Sequence, residues 1–120
     1  MLSPSGESGA ASMSELSQRD IAWLDFDPST GREIQKRRPA LIISNDRYNH
    51  ATGFVIVMPI GSTNKSNPAY FSLIDYETRG QINTTQVYSL DVRGNRNPQF
   101  IEKIRDDDFL KVITLFRRFF

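Results

Sequence analysis

The 120-residue chain contains no cysteine. That removes disulfides, thiolate catalysis and Cys-ligated zinc together, and it fits a chain that works in a reducing compartment. Histidine occurs once, as His50, so chemistry that needs two imidazoles is out of reach. A Ser-His-Asp arrangement would have one base, and nothing in the sequence brings it near a serine. No His/Asp/Glu set has metal-ligand spacing, and no Gly-rich loop runs into Lys-Ser/Thr to cradle a phosphate. No metal and no cofactor are therefore expected. No apolar run approaches the roughly 20 residues that cross a bilayer, so a soluble, cytoplasmic chain without a membrane partner is expected. Charge of one sign is also scarce: 15 Lys and Arg stand against 14 Asp and Glu. A total so balanced does not mark a nucleic-acid binder by itself.

The first eighteen residues, MLSPSGESGAASMSELSQ, are rich in serine and lack aromatics. Such a composition buries too little apolar surface to offset the entropy of ordering it. Residues 1–18 are expected to be a disordered leader, native or left from cloning, with Met13 as an alternative start. Residues 19–120 are expected to form one domain. The leader has Glu7 and Glu15 and no cation, so the remainder is slightly more basic. Its cations cluster: Arg32, Lys36, Arg37, Arg38 and Arg47 face only Glu33 and Asp46 between Gly31 and Arg47.

IAWLDF (21–26) is rich in strand formers and runs into the turn signal Asp27-Pro28. DPSTGREIQKRR then reads as a polar loop, and PALIIS (39–44) as a short buried strand. Asn45 to Thr52 reads as one or two helical turns capped by Ser44 or Asn45. FVIVMPI (54–60) is the strongest strand pattern, GSTNKSNP (61–68) a second polar loop, and AYFSLI a further strand. Weaker strands are expected around Gln81 to Leu90 and Gln99 to Ile104. At the end, Asp106, Asp107 and Asp108 suit a helix N-terminus, and Arg117 and Arg118 suit its C-terminus. Phe109, Val112, Ile113, Phe116 and Phe120 recur at spacings of three and four and give that helix one apolar face. The fold class is therefore mainly β: a strongly bent antiparallel sheet, as in a small barrel, with short helices and a C-terminal amphipathic helix.

WLDFDPSTGREIQKRRPALIISNDRYNHATGFVIVMPI resembles the opening half of the MazF/PemK/Kid family of toxins. The shared landmarks are Asp25 and Pro28, Gly31 and Glu33, Arg38 and Pro39, Tyr48 and Asn49, Thr52 and Gly53, then Pro59 and Ile60. From Thr63 onward the likeness is weaker, although TTQVYSLDVRGNR fits a later family strand and its basic turn. The resemblance implies an SH3-like barrel of the MazF/CcdB type and a homodimer. It implies the toxin component of a type II toxin–antitoxin system, neutralised by a cognate antitoxin. The implied activity is sequence-specific, metal-independent cleavage of single-stranded RNA, which leaves a 2′,3′-cyclic phosphate and blocks translation.

Arg38 matches the family's catalytic arginine. A guanidinium offers a planar fork of donors to a phosphate and is always charged. The family's threonine after Pro-Ile/Val is missing: Gly61 occupies that place and Ser62 the next. Ser62, or alternatively Thr63, supplies the hydroxyl from a shifted loop, or the segment is ordinary turn chemistry. A family carboxylate before Gln86 is also missing, because Thr85 stands there. Glu33 matches the Gly-x-Glu landmark, as a partner of Arg38, as a base, or as a solvated carboxylate. RNA contacts are expected from Arg32, Lys36, Arg37, Arg47, Tyr48, Arg93 and Arg96, with Tyr48 able to stack on a base. His50 reads as a surface histidine and Trp23 as core or interface packing. Two other readings stay open. The departures at Gly61 and Thr85 fit a weak or inactive member that binds RNA or antitoxin, and a CcdB-like gyrase poison would share the fold.

Overall fold

The computed structural model describes residues 16–26, 37–91, 93 and 96–120. Among these residues seven strands and two helices follow in chain order: β1 Asp20–Asp25, β2 Arg37–Ile42, α1 Asp46–Thr52, β3 Phe54–Gly61, β4 Tyr70–Ser72, β5 Gln81–Asn83, β6 Tyr88–Asp91, β7 Gln99–Lys103 and α2 Asp106–Arg118. All pairings are antiparallel. The strand order is β4-β5-β3-β2-β1-β7, with β6 also on β3. Among the described residues the ring of strands stays open, as a bent sheet of the expected SH3-like kind. The strand expected over 81–90 is two short strands, and AYFSLI contributes only Tyr70–Ser72.

Both faces of the central strands are covered. Ala22, Leu24, Ala40, Ile42, Val55 and Val57 point to one core with Leu16, Phe26 and Leu90. Ile21, Leu41, Met58 and Ile60 point to the other, against Ile82, Ile104 and Val112 of α2. Burial on both faces explains why PALI and FVIVMPI read as continuous apolar runs. Phe109 and Phe116 extend the helix contact. Phe120, expected on the same face, lies beyond the helix end at 77% exposure with its ring on Phe116. The leader expectation falls mostly on residues 1–15, which lie outside the described residues. Leu16 is buried, and the Gln18 side chain donates to the Ile43 carbonyl.

Two prolines shape the sheet where the site forms. The Ile43 N–H donates to the Ile56 carbonyl at 2.9 Å, so odd-numbered β2 residues turn their amides toward β3. Pro39 is next in that series after Leu41 and has no N–H to give. The β2–β3 ladder ends at Ala40 opposite Pro59. Pro59 turns its own missing donor to the other side. There β3 has left β6 at Val57 and not yet met β5 at Ile60. A proline is tolerated in a central strand at such a gap.

α1 carries the Tyr-Asn landmark. Asn45 caps it by accepting from the Tyr48 N–H, and Gly53 ends it at φ 75°, a left-handed geometry suited to glycine. Asn49 is buried and bonded to Ser44, whose hydroxyl accepts from Ile56 N–H. This landmark anchors α1 to the sheet.

Candidate active site

Beyond the last rung of β2 and β3 lies a groove of about 830 Å³. Arg37, Arg38 and Pro39 of β2 form one wall, and Gly61, Ser62 and Thr63 continue β3 on its other side. Strand pairing thus brings Arg38 and Ser62 into one cleft although more than twenty residues separate them in the chain. Arg38 is exposed, and its side chain makes no ion pair or hydrogen bond among the described residues. Arg37 differs: its guanidinium lies 3.1 Å from the Asp25 carboxylate. Asn97 donates to the same carboxylate at 2.6 Å. That hydrogen bond outweighs partial burial and, with Arg37, holds the Asp25 carboxyl below the usual range. Of this arginine pair, Arg38 is the one whose guanidinium is unpaired among the described residues.

The two family departures have distinct structural outcomes. An added Cβ at Gly61 would meet no atom within 4 Å, so the family hydroxyl's place is open space beside Ser62. Thr85 turns its hydroxyl onto the Asn83 side chain at 3.1 Å and does not line the groove. On the far side of Arg38 a smaller recess of about 160 Å³ is lined by Lys65, Tyr70, Asn83 and Gln86. Buried Gln81 fixes its rim: the side-chain amide accepts from the Lys65 N–H at 2.8 Å and donates to the Lys65 carbonyl at 3.0 Å.

Not every expected contact comes to this cleft. Arg47, Tyr48 and His50 ride on α1, beside the first residue of β3, roughly 23 Å of strand away from Gly61. Arg93 is bound through two nitrogens to Asp91, at 2.9 and 3.0 Å, and lies over the Phe54 ring. Its hydrogen bonds bring the Asp91 carboxyl down to about 2. Arg96 donates to the backbone carbonyls of Asp91, Asp25 and Phe26, which ties the β6–β7 turn to the end of β1. These two arginines hold the turn in place and line neither cavity. Arg32, Glu33 and Lys36 lie outside the described residues. Among those described, no three His, Cys, Asp or Glu side chains are grouped to hold a metal, and no helix is long and apolar enough to cross a membrane.

The structure also brings to the groove residues that the sequence analysis did not assign to a site. Trp23, 37% exposed, stands in its wall and not in the core, although Ile21 two residues earlier is fully buried. Glu77, Thr78 and Arg79 enter from the β4–β5 loop. The Arg-Gly turn was the available signal there, but only the close approach of the Gly80 backbone to Gly61 in the fold brings it to Ser62.

A bent antiparallel sheet with a cationic, hydroxyl-bearing cleft at its strand ends and a C-terminal helix against it defines a small mainly β fold. The family described as PemK-like, MazF-like toxin of type II toxin-antitoxin system matches residues 17–120. The chain belongs to that family. The endoribonuclease toxin MazF of Escherichia coli strain K12 is 35% identical over 71 residues, which is 59% of this chain and 64% of that protein. The chain thus matches just under two thirds of that relative's length. The endoribonuclease PemK of Escherichia coli is 26% identical over 110 residues, 85% of this chain and 83% of PemK. A MazE–MazF crystal structure from Deinococcus radiodurans superposes with a TM-score of 0.76 at 27% identity, covering 87% of this chain and 94% of that one.

Proposed function

We propose that this chain is the toxin of a type II toxin–antitoxin pair, a sequence-specific endoribonuclease that cuts single-stranded messenger RNA and so stops translation in the cytoplasm. Its partners on this reading are RNA, a second copy of the chain and a cognate antitoxin. The observation that carries the reading is the convergence of Arg38, unpaired among the described residues, and Ser62 on one groove.

The chemistry is transesterification. The substrate 2′-OH attacks the adjacent phosphorus, the P–O2′ bond forms and the P–O5′ bond breaks, giving a 2′,3′-cyclic phosphate and a 5′-OH. One proton leaves O2′ and one arrives at O5′, and the phosphorane between them gathers negative charge. Arg38 meets that charge with a forked donor, and Ser62 adds a neutral donor to a non-bridging oxygen. Glu33 is the carboxylate that the family pattern offers as proton acceptor. The expected test result is cleavage of a long RNA in EDTA, with fragment ends that acquire a label at the 5′-OH without prior phosphatase treatment. RNA left intact at high protein concentration would overturn the reading.

A second reading rests on Gly61, which leaves the family hydroxyl's place empty. On that reading the chain binds RNA or antitoxin without cutting, and the same assay separates the two.

A further inference from the structure

The β4–β5 loop, Leu73 to Gly80, has more anchors than a connection between two three-residue strands requires. At one end the Tyr76 hydroxyl donates to the buried Asp108 carboxylate of α2 at 2.7 Å and accepts from the Arg105 N–H at 2.9 Å. The Arg105 guanidinium lies 4.1 Å over the Tyr76 ring and donates to the carbonyls of Ile74 and Asp75. In the middle, one carboxylate gathers the backbone. Glu102 of β7 accepts from the N–H of Glu77 at 3.1 Å and from both the N–H and the hydroxyl of Thr78 at 2.7 Å. At the far end Gly80 has φ 125°, and a Cβ built on it would sit 2.0 Å from the Gly61 carbonyl oxygen and 3.3 Å from Ser62 Cα. The backbone at Gly80 therefore rests directly on the segment that carries Ser62.

Arg79 is the residue between the last two anchors. Its neighbour Thr78 is buried, whereas Arg79 itself is exposed and lines the groove with Arg38 and Ser62. Among the described residues it makes no ion pair and no side-chain hydrogen bond, unlike Arg37, Arg93 and Arg105. β2 lies on one side of the end of β3 and β5 on the other. Arg38 and Arg79 consequently flank Ser62 from opposite sides. Two unpaired guanidiniums beside one hydroxyl match a ligand with charge on either side of the reacting bond, and a single strand carries successive phosphates in that way.

We propose that Arg79 is a second substrate-binding cation of this groove, which takes the phosphate next to the scissile one, and that Glu102 is its positioning residue. This rests on the proposed RNA substrate and adds a contact to it. Arg79 grips a phosphate that does not react, so it acts on ground state and transition state alike. Its loss raises the half-saturating protein concentration far more than it slows cleavage at saturation. Glu102 touches no RNA and acts only through the loop.

The test measures binding of a labelled single-stranded RNA in EDTA by fluorescence anisotropy across a salt series, alongside single-turnover cleavage. Arg79→Ala is expected to weaken binding about tenfold and to lower the log–log salt slope by about 0.7, the contribution of one phosphate contact to a single strand. Arg79→Lys is expected to restore the slope. Glu102→Gln is expected to weaken binding in the wild-type background and to change nothing further on top of Arg79→Ala. Unfolding midpoints of all variants separate this from loss of fold. A wild type that binds and cuts, with Arg79→Ala at the same slope and affinity, overturns the assignment and leaves the proposed function standing. A wild type that binds without cutting, with the slope lowered in Arg79→Ala, keeps the assignment and removes the nuclease reading. RNA that is neither bound nor cut removes both.

Discussion

Ala40 opposite Pro59 is the last rung between β2 and β3; Pro39, the next residue of β2, has no N–H to donate, and the groove that holds Arg38 and Ser62 begins there. The family landmarks Arg-Pro and Pro-Ile thus have a structural meaning besides a chemical one. Each places a candidate site residue beside the point where hydrogen bonding between β2 and β3 stops.

Arg38→Ala is expected to cut the single-turnover rate on a long RNA by on the order of a hundredfold to a thousandfold, with a much smaller change in binding. Lysine at this position keeps the charge and loses the fork, so rescue should be poor. Arg37→Ala serves as the control. Its charge is already matched by Asp25 at 3.1 Å, and a pair this exposed adds little stability. The rate and the salt slope should both move less for Arg37→Ala than for Arg38→Ala. Equal rates for Arg38→Ala and wild type would sink the site assignment.

Gly61→Thr tests the missing hydroxyl by adding it. Nothing lies within 4 Å of the Cβ it would introduce, so the fold should accept it with an unfolding midpoint close to wild type. Cleavage is expected to rise severalfold. If Ser62 supplies the hydroxyl in the native chain, Ser62→Ala slows cleavage and Gly61→Thr restores the rate in that background. A double variant as slow as Ser62→Ala would show that position 61 does not reach the phosphate.

Acid should loosen the β4–β5 loop before it unfolds the sheet. Burial pushes the Glu102 carboxyl up, but the hydrogen bonds of Thr78 and Glu77 together with Arg105 outweigh it and leave the net value below the ordinary one. A carboxyl whose folded pKa is depressed adds stability above its unfolded value, near 4.3, and loses it as pH falls through the folded value. Asp25 acts in the same direction. Stability measured by denaturant midpoint should therefore hold from neutral pH down to about 5 and fall below about 4. Glu102→Gln should flatten that acid limb. An identical limb in the variant would mean that Glu102 is not the group titrating.

A homodimer is expected. Trp23, Phe100, Leu110, Phe119 and Phe120 are exposed on the single chain, between 37% and 77%. Apolar surface on this scale is costly to leave in water. Sedimentation at micromolar concentration should give about twice the 13.7 kDa chain mass. A clean monomer would leave those side chains without a covering partner and remove the dimer from the proposed function.

The elements whose apolar residues follow one period were legible in the sequence. FVIVMPI and the Phe109-Val112-Phe116 helix face emerged with nearly the observed limits, because local pattern and burial agree there. Arg38 was singled out by the Arg-Pro landmark, and Ser62 only as the hydroxyl next to the departure at Gly61. Their meeting was not, since it depends on β2 and β3 pairing out of sight of either segment. Arg79 was invisible for a similar reason: its place is set by Glu102, Asp108 and the backbone of Gly61, all far from it in the chain. Arg93 and Arg96 show the opposite limit. Composition identifies a basic turn, but only the fold reveals that their hydrogen bonds go to Asp91 and to main-chain carbonyls.

The ring of Pro39 also governs how this cleft can be silenced. A donor at that position would extend the ladder by one rung toward Arg38. Without one, the strands part there, and residues from both line the groove. An inhibitor of this protein therefore has to work as a plug that fills the space between Arg38 and Ser62, or as a lever that drags one of them away.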